Sequence, residues 1–130
     1  MINILIVEDD PFSVDFYKYL FKKAGFNSLV QDNGDDVINM LQSDNINLII
    51  MDINLKNTYL NGQKIDGIRL SSFIKRKEGI NHPPIILVSA YRPDSIEGDF
   101  MRDSQAEDYI TKPIVDFNSL IGKINRLVEN

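Results

Sequence analysis

The sequence predicts a doubly wound α/β domain, a parallel sheet with helices on both faces. Three observations carry that expectation. Five short runs rich in β-branched residues alternate with five stretches in which apolar residues recur at helical spacing. The central runs are apolar without polar alternation, as in strands buried on both faces. Most of the runs stop on acidic, hydroxyl or basic residues. That is the edge where open α/β sheets gather ligands. Strictly alternating elements close through right-handed crossovers into a parallel sheet.

The elements follow in order. Residues 2–7 form an apolar first strand. Residues 11–24 form a helix opened by Pro11, with Phe12, Phe16, Tyr19 and Leu20 as its apolar stripe and Gly25 as its stop. Residues 27–31 form a short second strand, and residues 35–41 a helix with Val37, Ile38 and Leu41 on one face. Residues 47–52 form a strongly apolar third strand. Residues 55–64 show no clear pattern. Residues 65–77 are helical, with an imperfect stripe of Ile65, Ile68, Phe73 and Ile74. Residues 84–89 form the fourth strand. Residues 94–102 form a weak helix, because Gly98 lies inside it. Residues 107–111 form the fifth strand. Residues 115–129 form the last helix, with Phe117, Leu120, Ile121, Ile124 and Leu127 on one face.

Bulk properties narrow the function. A chain of 130 residues fits a single domain spanning 1–130 with a sizeable core. The absence of cysteine excludes a disulfide framework and a thiolate metal site. A net charge of −5 gives little electrostatic reason to bind nucleic acid. The apolar runs fall short of the roughly 20 residues that span a bilayer, and the start of the chain lacks a basic region and cleavage site. The expectation is a cytoplasmic protein without a membrane or nucleic-acid partner.

The strand ends carry the chemistry. The first strand runs into Glu8-Asp9-Asp10-Pro11, where Asp10 suits an N-cap and Pro11 the first helical position. Glu8 and Asp9 are left as two carboxylates at the sheet edge. The third strand ends in Asp52, the fourth in Ser89, and the fifth near Thr111-Lys112-Pro113. Clustered carboxylates raise one another's pKa unless a cation lies among them. Oxygen ligands without His or Cys favour Mg²⁺, Mn²⁺ or Ca²⁺ over zinc. Lys112 supplies positive charge and Ser89 a donor to phosphoryl oxygens. Together these parts suit phosphoryl transfer onto a carboxylate. Taken singly, an acidic run is more often helix caps and solvated surface, and Lys112-Pro113 is nearly uninformative. His82 precedes Pro83-Pro84 and reads as a loop residue rather than a phosphotransfer histidine.

The segments 4–10, 48–55, 65–68, 85–90 and 106–113 resemble, in this order and spacing, the receiver domains of response regulators. The resemblance covers essentially the whole chain. It implies a flavodoxin-like (βα)5 fold with strand order 2-1-3-4-5. It implies Asp52 as phosphoacceptor, with Mg²⁺ or Mn²⁺ held by Asp9, Asp52 and the backbone carbonyl of Asn54, and Glu8 assisting. Lys112 pairs with the phosphoryl group, and Ser89 moves to bond it. Tyr109 is the aromatic switch that follows Ser89, while Asn54 and Tyr91 tune dephosphorylation. The donor is a histidine kinase or histidine phosphotransfer protein. Output goes to an unknown downstream protein or a phosphorylation-dependent homodimer. Such a domain signals and catalyses only its own phosphorylation and dephosphorylation.

Two departures stand out. The stretch from Asp52 to Asp66-Gly67 is several residues longer than the family's usual loop, and Lys56 stands where a proline is common. Ser89 replaces the commoner threonine. Other readings remain open. Met1 at the first strand favours a stand-alone receiver, but a receiver cut from a larger regulator or hybrid kinase fits the same residues. An aspartyl-phosphate phosphatase of the haloacid dehalogenase type wants a second acid two residues after the nucleophile, where Asn54 stands. A degenerate receiver serving only as an interaction module is disfavoured by the full set Asp9, Asp52, Ser89 and Lys112.

Overall fold

The computed structural model describes residues 1–90 and 99–129. In chain order the elements are β1 (Asn3–Val7), α1 (Pro11–Lys23), β2 (Asn27–Gln31), α2 (Gly34–Ser43), β3 (Leu48–Asp52), β4 (Tyr59–Leu60) and β5 (Gln63–Lys64). Then come α3 (Gly67–Arg76), β6 (Ile85–Ser89), α4 (Phe100–Ser104), β7 (Asp108–Thr111) and α5 (Phe117–Val128). The main sheet is parallel throughout, in the order β2-β1-β3-β6-β7. With the small β4–β5 pair set aside, this is the expected 2-1-3-4-5.

Alternate residues of each strand enter opposite layers, as the pleat requires. Ile4, Ile6, Leu48, Ile50, Ile86 and Val88 pack under Tyr17 and Phe21 of α1 and Leu120 and Ile124 of α5. Leu5, Val7, Ile49, Met51, Ile85 and Leu87 pack under Val37 and Leu41 of α2, Leu70 and Ile74 of α3, and Phe100 of α4. Burial on both faces explains why β3 and β6 read as unbroken apolar runs.

The helix ends agree with their local chemistry. Asp10 caps α1 by accepting from the Ser13 N–H, with Pro11 in the first turn. At the other end Gly25 has φ +84°, its N–H bonds the Lys22 carbonyl at 3.1 Å, and the Phe26 N–H bonds the Phe21 carbonyl at 2.9 Å. The Phe21 and Phe26 rings meet edge-on across this left-handed stop. Asn33, Asp66, Asp99 and Asp116 cap the other four helices in the same way as Asp10.

Several expectations need correction. The buried stripe of α1 is Tyr17 and Phe21, flanked by the half-buried Phe16 and Leu20. Phe12 and Tyr19 are instead 86% and 65% exposed. Phe12 stands in the first turn, where it lines an open apolar groove with Phe16, Pro113 and Ile114. The last helix begins at Phe117, so Val115 lies outside it and is exposed. Residues 94–98 of the expected weak helix lie outside the described residues; the described part, α4, is a short helix capped by Asp99.

The largest correction concerns residues 55–64, which contain an antiparallel hairpin pairing Tyr59 with Lys64 and Leu60 with Gln63. Asn61 and Gly62 turn it with φ of 53° and 80°. Two successive positive φ values are the mark of a type I′ turn, for which Asn-Gly is the preferred pair. The hairpin sits on the start of α2. The Thr58 hydroxyl donates to the Asp32 carbonyl at 2.7 Å, and the Asn61 N–H reaches the Asp35 carboxylate at 3.1 Å. A Cβ on Gly34 would lie 2.6 Å from the Tyr59 carbonyl oxygen, so only glycine permits this approach.

Candidate functional site

The C-terminal ends of β1, β3 and β7 open into a cavity of about 390 Å³ lined by Glu8, Asp9, Asp52, Asn54, Lys56, Asn57 and Lys112, among others. One carboxylate oxygen from each of Glu8, Asp9 and Asp52 lies within 4.8 Å of the others. Parallel pairing causes this convergence. Val7 pairs with Met51 and Asp52 with Val88, so neighbouring strands end nearly level and release their next residues into the same space.

Each acid is held differently. Glu8 is 2% exposed. Its Oε2 accepts the backbone N–H groups of Asp9 and Asp10 at 3.0 and 3.3 Å. Its Oε1 is buried without a hydrogen-bond partner among the described residues and lies 3.8 Å from the Lys112 ammonium. Burial pushes the Glu8 carboxyl up to about 7, the adjacent Asp52 carboxylate adds to the rise, and Lys112 opposes it. Asp9 Oδ2 accepts the backbone N–H groups of Lys56 and Asn57 at 2.6 and 3.0 Å. Asp52, 4% exposed, pairs through Oδ1 with the Lys112 ammonium at 3.1 Å and accepts the Asn54 N–H at 3.3 Å. Asp10 lines the same cavity, but its carboxylate is committed to capping α1. The Ser13 hydroxyl, donating at 2.9 Å, holds its carboxyl below the usual range.

Asp52 is also positioned from behind. Asp66 caps α3 by accepting the Arg69 N–H at 2.8 Å, and the Gly67 N–H bonds the Ile53 carbonyl at 3.0 Å. A Cβ on Gly67 would collide with the Asp52 carbonyl oxygen and lie 2.8 Å from the Asp52 carbonyl carbon. Glycine therefore lets α3 rest directly on the backbone of Asp52.

Ser89 ends β6, fully buried, and its carbonyl accepts the Lys112 N–H at 2.7 Å. Tyr109 on β7 is half-buried on the α2–α4 side of the sheet, its ring edge-on to Phe100 at 6.2 Å between centroids. Tyr91 lies outside the described residues. The structure thus brings Glu8, Asp9, Asp52, Asn54 and Lys112 to one cavity and places Ser89 and Tyr109 on the two adjoining strands. Sequence reasoning missed the backbone donors of Lys56 and Asn57 and the close approach at Gly67. The first left no signal, since any residue but proline supplies a backbone N–H; a glycine directly after a capping aspartate was the signal for the second.

No helix among the described residues is long and apolar enough to cross a membrane. The family model described as the response regulator receiver domain matches residues 4–125. The polar-differentiation response regulator DivK of Brucella anthropi is 27% identical over 114 residues, 86% of this chain and 85% of that protein. A CheY-like receiver domain from Methanospirillum hungatei superposes with a TM-score of 0.76 at 25% identity, covering 99% of this chain and 94% of that one. The receiver domain of a sensor histidine kinase from Pseudomonas aeruginosa, with a magnesium ion coordinated in its active site cleft, superposes with a TM-score of 0.75 at 21% identity, covering 98% of both chains. The chain belongs to the response regulator receiver family.

Proposed function

We propose that this receiver, a single domain over residues 1–130, accepts a phosphoryl group on Asp52 from a phosphohistidine of a histidine kinase or phosphotransfer protein. The observation that carries the reading is the pairing of a buried Asp52 with Lys112 at 3.1 Å, inside a cavity shared with Glu8 and Asp9. An Asp52 carboxylate oxygen attacks phosphorus, an O–P bond forms, and the P–N bond to imidazole breaks. The departing imidazole takes a proton from solvent. Lys112 orients Asp52 beforehand and faces the charge of the phosphoryl oxygens afterwards.

The residues fit a hard divalent cation, Mg²⁺ or Mn²⁺. The donor set is all oxygen, and the buried Glu8 Oε1, without a hydrogen-bond partner among the described residues, is an acceptor that an ion or its bound water can satisfy. Asp9, Asp52 and the Asn54 backbone carbonyl would hold it, with Glu8 assisting directly or through water. Bound there, the ion supplies charge neutralisation for the transferring group. Ser89 and Tyr109 form the switch, because they end β6 and line β7 beside the site while Tyr109 touches Phe100 of α4. Asn54, at the cavity wall, tunes the lifetime of the phosphorylated state, as does Tyr91. The protein acts in the cytoplasm, through a downstream protein or a second copy of the chain.

The test is incubation with acetyl phosphate and Mg²⁺, followed by mass-spectrometric mapping. A single modification at Asp52 is expected. Labelling of Asp52→Ala at the wild-type rate would sink the assignment.

A further inference from the structure

The cavity holds a second lysine. Lys56 is exposed and lines the same space as Asp52 and Lys112. Its backbone is fixed on both sides. Leu55 is 5% exposed and Thr58 fully buried, and the Lys56 N–H is held by Asp9 at 2.6 Å. The side chain makes no ion pair among the described residues. The hairpin that lengthens this loop is itself docked on α2 through Thr58, Asn61 and Gly34. A cation is thus presented at an acidic cavity by an anchored backbone, its head group without an ion pair among the described residues.

The charges give it a task. Glu8, Asp9, Asp10 and Asp52 line the cavity as four carboxyl groups, against which Lys112 and a divalent ion bring three positive charges. Among the described residues lining the cavity, Lys56 then remains to offset the negative charge that an incoming phosphoryl group brings. We infer that Lys56 is a positioning residue that draws the phosphoryl donor to the mouth of the cavity and leaves the transfer step to Asp52 and Lys112. The inference rests on the phosphoacceptor reading above. Its electrostatics oppose each other in a useful way. The same ammonium that attracts an anionic donor repels the divalent cation, so removing it weakens donor recognition and strengthens cation binding.

The experiment compares wild type, Lys56→Gln and Lys56→Arg. None of these loses the N–H that holds Asp9, since that donor is backbone. Lys56→Gln is expected to raise the acetyl phosphate concentration for half-maximal phosphorylation about two- to fivefold, the range of an exposed charge pair. The rate at saturating donor stays at the wild-type value, and Lys56→Arg behaves as wild type. The difference fades in ~1 M salt, where screening acts within about 3 Å. Mg²⁺ titrated without any donor should bind Lys56→Gln about twofold more tightly. An unchanged half-saturating concentration would overturn the inference. So would weaker Mg²⁺ binding by Lys56→Gln, which indicates a loosened loop rather than a lost charge. Failure of the wild type itself to label at Asp52 removes the phosphoacceptor reading and this inference with it, and is recognised before any variant is made.

Discussion

Gly67→Ala is expected to damage stability and phosphorylation together. The added Cβ would collide with the Asp52 carbonyl oxygen and stand 2.8 Å from the Asp52 carbonyl carbon and 2.9 Å from Ile53 Cα. Comfortable carbon contacts lie near 3.5–4.0 Å, so α3 must retreat by about 1 Å. All three atoms are backbone, and no side chain can swing aside. Overpacking of this kind costs about 1–3 kcal/mol, and stretching the Gly67 N–H bond to Ile53, 3.0 Å long here, adds to it. Alanine's better helix propensity returns at most about 1 kcal/mol. The net loss is about 1–3 kcal/mol, which lowers the urea midpoint by about 0.5–2 M at ordinary m-values. A 1 Å displacement of the acceptor can slow a positioned reaction by about 100-fold, so Asp52 labelling by acetyl phosphate should fall by at least tenfold. Gly122→Ala is the control. It is an exposed position of α5 with nothing within 4 Å of the added Cβ. It should stabilise by about 0.5–1 kcal/mol and leave labelling unchanged. A Gly67→Ala protein with wild-type midpoint and labelling rate would refute the reasoning.

Asp9 and Asp10 are adjacent but should respond oppositely to the same change. Asp9→Asn removes a formal charge from the carboxylate cluster and should weaken Mg²⁺ binding about tenfold or more in a fluorescence or calorimetric titration; Asp10→Asn should leave it nearly unchanged, because Asn caps a helix about as well. Glu8 predicts a pH dependence in metal-free protein. Its carboxyl is raised from 4.5 to about 7 in the folded state, chiefly by burial, so the folded protein holds a proton that the unfolded chain releases. That contribution is complete below pH 4.5 and is lost as pH rises through 7, so urea stability should decline across this window. Glu8→Gln should flatten the decline, and an equal slope in both proteins would count against the assignment.

The legible features and the hidden ones differ in physical kind. β3 and β6 were readable because strands buried on both faces show no polar alternation, and Asp52 and Ser89 were readable because they end those runs. The cap at Asp10 followed from Pro11 alone. The inward phase of α1 was not readable. Its apolar positions satisfy two stripes, one through Phe12, Phe16, Tyr19 and Leu20 and one through Tyr17 and Phe21. The choice between them depends on where the helix crosses the sheet. The hairpin was overlooked despite Asn61-Gly62, because strands of two residues carry too few positions for alternation to register. Asp9's hold on Lys56 and Asn57 is invisible in principle, since its donors are backbone N–H groups that any residue but proline supplies.

That last point bears on how the site tolerates its own charge. Three carboxylates within 4.8 Å repel one another, yet two of them are restrained by donors that are neutral and fixed. Glu8 is held by the two N–H groups of the turn it begins, and Asp9 by two N–H groups of the long loop. Asp52 alone is held mainly by a charge, the 32% exposed Lys112. Proline at position 56 would remove the 2.6 Å donor to Asp9 and leave only Asn57. The lysine there, carried on a loop stiffened by its hairpin, keeps that donor while projecting a charge. The lengthened loop therefore fixes one carboxylate by its backbone and leaves the Lys56 side chain exposed at the cavity.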